Sequence, residues 1–352
     1  MFACGEIYRQ ITNAYPNGKV ICQEGNSDKT EGVLIQYKET DWEFLKRVAG
    51  RTGLYLVPDV QNKGIRHTVG LPLGTKREIS LDNINIRLNI GSYMQKSRNG
   101  MASLQAEDMQ ELILTDREIY QVGDHISYQG KDYFIHQIQT VYEKGECIHT
   151  YCFKTKEAIK ILPFQNNAVT GCSFSATIIG VEKDKVQIEI EHDEWKALDG
   201  KKWFLYSTVY SSADGTGWYC MPEQGDSVRL YVPAKEEDSF VLSAVHKPTD
   251  CSRQNPDFKS LKTRYGKEIR FTPDSILMTN NQGMLVEMND SEGITISSNK
   301  DIVIEADDNL TISSTNSSLL LTADDSLQVK QGSTSMTLDE NIHFTGGEFR
   351  IQ

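Results

Sequence analysis

From Tyr265 to the C-terminus, apolar residues come in pairs two positions apart. The pairs are Ile269/Phe271, Ile276/Met278, Met284/Val286, Ile294/Ile296, Ile302/Ile304, Leu310/Ile312, Leu319/Leu321, Leu327/Val329, Met336/Leu338, Ile342/Phe344 and Phe349/Ile351. Their starting positions step by 7, 8, 10, 8, 8, 9, 8, 9, 6 and 7 residues. Two side chains two apart lie on one face of a strand. The residues between them are mostly polar (Thr295, Thr311, Gln328, Thr337, His343, Arg350), as a solvent face requires. Turns fall at Asn299-Lys300-Asp301, Asp307-Asp308-Asn309, Asp324-Asp325-Ser326 and Gly346-Gly347. A short, nearly fixed period of strand and turn predicts a β-solenoid over 265–352. Eight residues make one side of a prism, and about three sides enclose a core. Either one chain supplies three repeats per coil or three chains supply one each. A single-chain coil has sides of unequal length, so the near-uniform step fits three identical chains, and a lone chain would leave a long apolar stripe in water.

Upstream, the pattern changes. Residues 1–60 read as mixed α/β, with a helix end over 8–14, a turn at Pro16-Asn17-Gly18 and a strand over 33–37. A helix opens at Thr40-Asp41, where either side chain is a suitable N-cap and Glu43 lies in the first turn. Phe44, Leu45, Val48 and Ala49 make its apolar face, and Gly53 stops it. A strand over 54–57 and a Gly-rich loop with a short strand over 62–75 follow. Strands are expected over 84–89, 101–105, 111–114, 125–128, 131–140 and 146–154, with a hairpin turning at Gln129-Gly130. After a linker turning at Pro163, five strands are expected over 173–181, 186–192, 203–210, 227–232 and 240–245. Five antiparallel strands in this length fit an OB-like barrel. The protein is thus expected to be mainly β: an α/β-plus-barrel part over 1–160, a small barrel over 168–248 and a β-helix over 265–352.

The 352 residues allow two to four domains. A net charge of −12 argues against a general nucleic-acid binder. No apolar run is long enough for a membrane-spanning helix. MFACGEIYRQ lacks the basic and apolar regions of a secretory signal, so synthesis in the cytoplasm is expected. The seven cysteines are scattered without a CxxC pair, which reads as reduced thiols.

One stretch is more specific. Gly217-Trp218-Tyr219-Cys220-Met221-Pro222-Glu223-Gln224-Gly225-Asp226, followed by Val228-Arg229-Leu230, resembles the signature of the OB domain in VgrG-type spike proteins. The segment Glu39-Thr40-Asp41-Trp42-Glu43-Phe44-Leu45-Lys46-Arg47 resembles a helix of that family's hub domain. The order hub, OB barrel and β-helix covers nearly the whole chain. The resemblance implies a homotrimer at the centre of a contractile injection machine, with hubs on the tail-tube protein, baseplate components around them, effector cargo and a piercing needle. It also implies a PAAR-repeat protein on the needle tip, docking near Ile342, Phe344, Phe349 and Ile351. The family's hub carries a further tube-like barrel ahead of the part matching 1–60, and this chain does not show it.

The same residues have a plain structural reading. Pro222, Gly225 and Asp226 form a turn entering the next strand, and Trp218 and Tyr219 are expected to bury large areas against the barrel. Glu223 and Asp226 are turn carboxylates before they are a catalytic pair. His192, Asp193 and Glu194 lack a second His at ligand spacing. Cys147 and His149 share a strand face without a surrounding nucleophile motif. His343 lacks the His-x-His pair that holds iron at some phage spike tips. No Walker A, Rossmann, GxSxG or HExxH pattern occurs. No catalytic residue, metal site or cofactor is therefore assigned. The alternative is a β-helical protein that binds or degrades polysaccharide, but 265–352 holds no Trp and one Tyr, Tyr265, where such a cleft needs aromatic platforms.

Overall fold

The computed structural model describes residues 3–30, 32–194, 202–244 and 255–347. The chain divides into two compact units, Met1–Pro248 and Thr249–Gln352.

The first unit opens with α1 (Cys4–Asn13) and β1 (Lys19–Cys22), followed by α2 (Asp41–Gly50), β2 (Leu56–Pro58) and β3 (Arg66–Val69). β3 lies between β1, to which it is parallel, and β2, to which it is antiparallel. Tyr8 and Ile11 of α1, Leu45 and Val48 of α2 and Val69 of β3 share one buried cluster. α2 starts where the sequence places it. The Thr40 hydroxyl accepts from the Glu43 N–H, and the Glu43 carboxylate accepts from the Thr40 N–H, which satisfies two of the helix's orphan donors.

The strand expected over 33–37 does not form. A strand needs a backbone partner, and here side chains take that place. The Ile35 N–H donates to Glu236 at 2.8 Å, and the Ile35 carbonyl accepts from Arg47 at 3.0 Å. Val33 and Ile35 pack on the core of the downstream barrel instead.

Next come β4 (Ile84–Leu88), α3 (Ile90–Arg98), β5 (Gln110–Asp116), β6 (His125–Tyr128), β7 (Lys131–Glu143), β8 (Glu146–Lys154) and the short α4 (Lys156–Ile159). The strands form an antiparallel sheet in the order β4-β5-β8-β7-β6, curled around Leu112, Leu114, Tyr133, Ile135 and Phe153. The β6–β7 hairpin turns at Gln129 and Gly130, both at positive φ, the geometry a two-residue hairpin requires. Two expectations fail here. The strand over 101–105 is a loop whose Met101 and Leu104 pack with Tyr93 and Met109. α3 occupies a stretch with no expected element, though Asn89 caps it through the Ser92 N–H and Lys96 and Arg98 fill its last turn.

All five expected strands of the second β region form, some with shorter ends: β9 (Ser173–Glu182), β10 (Lys185–Ile190), β11 (Phe204–Ser207), β12 (Ser227–Tyr231) and β13 (Phe240–Leu242). They close into a barrel in the order β9-β10-β11-β13-β12 and back to β9. Every pair is antiparallel except β11–β13. Ile178, Val186, Phe204, Val228, Leu230 and Val241 fill it.

The second unit holds β14 (Lys259–Lys262), β15 (Glu268–Phe271), β16 (Ser275–Thr279), β17 (Met284–Asn289) and β18 (Gly293–Ser298), an antiparallel meander in chain order. A three-stranded meander follows with β19 (Leu327–Gln331), β20 (Thr334–Leu338) and β21 (Ile342–Thr345). The expected strands at Ile302/Ile304, Leu310/Ile312 and Leu319/Leu321 are not formed, and residues 301–326 pair with no strand among the described residues. Apolar alternation prepares a backbone for pairing but supplies no partner. One chain by itself closes no prism.

Candidate functional site

The most unusual surface is one face of the β14–β18 sheet. The register sets Leu261, Ile269, Met278, Val286 and Ile296 in one column across all five strands. A second column holds Phe271, Ile276, Met288 and Ile294. Strand alternation puts both columns on one face, because each pair is separated by two residues. Arg270, Leu277, Glu287 and Thr295 form a row on the opposite face. On that side the Arg270 guanidinium, 2.7 Å from Glu268, holds its carboxyl below the ordinary glutamate range.

The apolar face is uncovered. Ile294 is 69% exposed, Ile296 61% and Met278 50%, values far from those of a core. An open groove of about 500 Å³ follows the first column, lined by Leu261, Ile269, Met278, Val286 and Ile296 among others. Residues 299–326 add exposed Ile302, Ile304, Leu310, Ile312, Leu319 and Leu321. The last meander repeats the design: Leu327, Leu338 and Ile342 form one column, and Val329, Met336 and Phe344 the other. Ile342 and Phe344, two of the expected tip residues, thus stand on one exposed face. Phe349 and Ile351 lie outside the described residues. His343 pairs with Thr337 on the other face, with its Nε2 3.5 Å from Asp339.

The signature stretch divides into two parts. Its second half is the expected turn. The Asp226 N–H donates to the Glu223 carbonyl at 3.0 Å, and the Glu223 N–H donates to the Asp226 carboxylate at 2.8 Å. The Gly225 N–H donates to the Ile178 carbonyl, which ties the turn to β9. Gly225 sits at φ +97°, a conformation that favours glycine. Pro222 is buried and Met221 packs on the barrel core.

Its first half departs from expectation. Trp218 and Tyr219 do not bury themselves on the barrel; they are 63% and 74% exposed. The backbone explains this. The Trp218 N–H donates to the Tyr210 carbonyl, and Ser211 bridges Gly217, so 208–218 closes on itself as a hairpin standing off the wall. Gly217 at φ +147° lets the two sides meet; a Cβ there would lie 2.4 Å from the Tyr210 carbonyl oxygen.

A second feature had no local signal. Arg47 of α2 is almost fully buried and binds Glu39, the Ile35 carbonyl and, at 2.8 Å, Glu236. Arg51 reaches the same Glu236 oxygen at 2.7 Å. Glu236 lies between β12 and β13, so this network locks the N-terminal α/β module to the barrel. The two partners are 189 residues apart, a separation no spacing rule reaches.

The side chains weighed for chemistry do not converge. His149 Nδ1 lies 2.8 Å from the Thr140 hydroxyl oxygen, and Cys147 is exposed at a hairpin end. Burial pushes the Cys4, Cys22 and Cys152 thiols up, away from the thiolate form. Among the described residues no group of three His, Cys, Asp or Glu side chains gathers as metal ligands do. No described helix is long and apolar enough to cross a membrane.

No protein-family model matches the chain, and no curated protein matches it. Solved structures do. The chain is similar to the E. coli c3393 protein, described as a type VI secretion system component with structural similarity to bacteriophage tail proteins, at 13% identity and a TM-score of 0.45. That match covers 69% of this chain and 71% of the other. It is also similar to a 43 kDa prophage tail protein from Shewanella oneidensis, at 10% identity and a TM-score of 0.33, over 45% of this chain and 65% of that one. A Francisella PdpA-VgrG complex matches at 10% identity and a TM-score of 0.35. That match covers 79% of this chain and 49% of the other, so the chain spans about half of that length. The likeness is one of fold at low identity, and no residue role passes through it.

Proposed function

We propose that this chain is a structural, non-enzymatic hub-and-spike protein of a contractile injection machine, and that it works as a homotrimer. The observation that carries the reading is the two-column apolar face of β14–β18. A sheet with one face bare and the other polar needs a cover, and two identical sheets around a threefold axis supply it. The backbone of 301–326, which joins no described strand, supports the same reading, since strands from neighbouring copies would take its N–H and C=O groups.

The barrel supports the assignment of the middle part. Its strand order, with the third and fifth strands side by side, agrees with the five-stranded Greek-key OB barrel that the Gly217–Asp226 signature suggests. In this reading the mechanism is mechanical. Interchain hydrogen bonds and a continuous apolar core resist bending while the machine drives the needle through an envelope. The protein is made in the cytoplasm. Its N-terminal part meets tail-tube and baseplate proteins, its tip at Ile342, Phe344, Phe349 and Ile351 takes a PAAR-repeat cap, and effector cargo travels with it.

Sedimentation equilibrium of the full chain tests the reading. A mass three times 39.8 kDa is expected. A monodisperse 39.8 kDa species at micromolar concentration, with strand content intact, would refute it.

A further inference from the structure

The exposed hairpin of the barrel is a second surface, distinct from the needle face. We propose that it is a contact between barrels of neighbouring copies, an inference that rests on the trimeric reading. Between Thr208 and Met221 the chain carries one charged residue, Asp214. It presents Val209 at 92% exposure, Tyr210 at 50%, Trp218 at 63% and Tyr219 at 74%. Isolated exposed apolar residues are ordinary, but a nearly uncharged hairpin that exposes a Trp and two Tyr, with Tyr210 and Trp218 opposite each other across it, has the composition of an interface centre.

The hairpin is held rigid, which lowers the entropy lost on contact. The Thr208 hydroxyl donates to the Trp218 carbonyl at 3.0 Å, and the Ser212 N–H donates to the Thr216 carbonyl at 2.7 Å. The Tyr219 hydroxyl donates to the Lys183 carbonyl in the β9–β10 turn at 2.9 Å, which fixes the ring on the outside of the barrel. None of these bonds is needed to fill the barrel, whose core is complete without the hairpin.

Size selects the occupant. Taking about 150–250 Å² for a fully buried aromatic, the two faces of the hairpin together offer at most roughly 400–500 Å². A partner recruited from solution needs about 800 Å² on each side. The patch is too small to recruit a free protein, yet it suffices when the partner is already held nearby. A second copy meets that condition. Each barrel is covalently joined to an apolar sheet, so assembling three sheets raises the effective concentration of the three barrels for one another.

Cys220, exposed and adjacent to Tyr219, reports on the contact. Maleimide labelling of the full chain, read by peptide mapping at Cys220, is compared above and below the concentration at which the assembly dissociates. Ile296→Asp serves as a second dissociated reference. We expect Cys220 to react on the order of tenfold more slowly in the assembly. Trp218→Ser combined with Tyr219→Ser should remove that protection and raise the dissociation concentration, while the needle face still assembles at higher protein. An assembled trimer whose Cys220 reacts as fast as the dissociated chain overturns the hairpin contact and leaves the trimer standing. A chain that never assembles overturns both. Protection that appears only on adding a glycan mixture would assign the aromatics to sugar and also overturn the proposal.

Discussion

The barrel and the β14–β18 sheet are built from the same material, short antiparallel strands of alternating residues, yet one is finished and the other is not. In the barrel, Ile178, Val186, Leu230 and Val241 are buried because five strands curl until the first meets the last. In the sheet, Ile269, Met278 and Ile296 stand in equally regular columns but remain exposed, because the meander stays open. The difference lies in closure. A closed barrel makes its own inside, while an open meander of five strands has an inside only when another surface supplies it.

The comparison breaks most readily at the open face. Ile296→Asp places one carboxylate per copy in the proposed interior, where desolvation and mutual repulsion cost several kcal/mol per assembly. We expect assembly to be lost, with the barrel's melting unchanged at low concentration. Thr295→Asp on the opposite face should stay within about 0.5 kcal/mol. Thermal melting at several protein concentrations separates the two, and a ranking in the opposite order would mean that the faces are assigned backwards.

Inside the first unit the largest effect should come from the buried ion network. Glu236→Ala removes the carboxylate shared by Arg47 and Arg51 and leaves Arg47 buried beside Glu39 alone. Breaking one partner of a buried pair costs about 3–5 kcal/mol. Denaturant unfolding should show this loss at every protein concentration, since no neighbouring copy is involved.

Acid should also act on the first unit before the second. Burial, aided by Lys154, pushes His136 down to about 4, and burial lowers His67 as well. Both are neutral in the fold, and neither His67 ring nitrogen nor the His136 Nε2 has a hydrogen-bond partner among the described residues. The unfolded chain takes up protons near the ordinary value of 6.5 and the folded chain does not. Stability present above 6.5 is therefore lost progressively as pH falls toward about 4. Melting temperature against pH should slope in this window, and His136→Gln should flatten part of the slope. Below it, Glu111 and Asp124 take over. Burial alone would raise their carboxyls. Lys154 and Arg87 outweigh it at Glu111, and the Thr75 and Gln121 N–H groups with Arg77 outweigh it at Asp124, so both stay below the usual range.

Among the destabilising changes the smallest effect is expected of Thr40→Ala, which removes the α2 cap for about 1 kcal/mol. A hydrogen-exchange change confined to the first turn of α2 is the readout.

Local rules were enough wherever an element carries its own instructions. Thr40 and Glu43 state where α2 begins, because a capping box spans four residues. The five barrel strands and the apolar pairs of the C-terminal region follow from alternation, which is a property of single strands. The turn at Glu223–Asp226 likewise follows from Pro222, Gly225 and Asp226. What alternation leaves open is the partner. Residues 33–37 look like a strand and instead lie against the barrel, because Glu236 and Arg47 satisfy Ile35. Trp218 and Tyr219 look like core and instead point outward, because Gly217 folds their backbone back onto Tyr210. Residue order along the chain therefore determined the start of α2, the turn at Glu223–Asp226 and the strands that find a partner within their own barrel or meander. Only the tertiary structure decided what each one faces, since burial and pairing depend on groups up to 201 residues away, and for the apolar face no such group exists within the described chain.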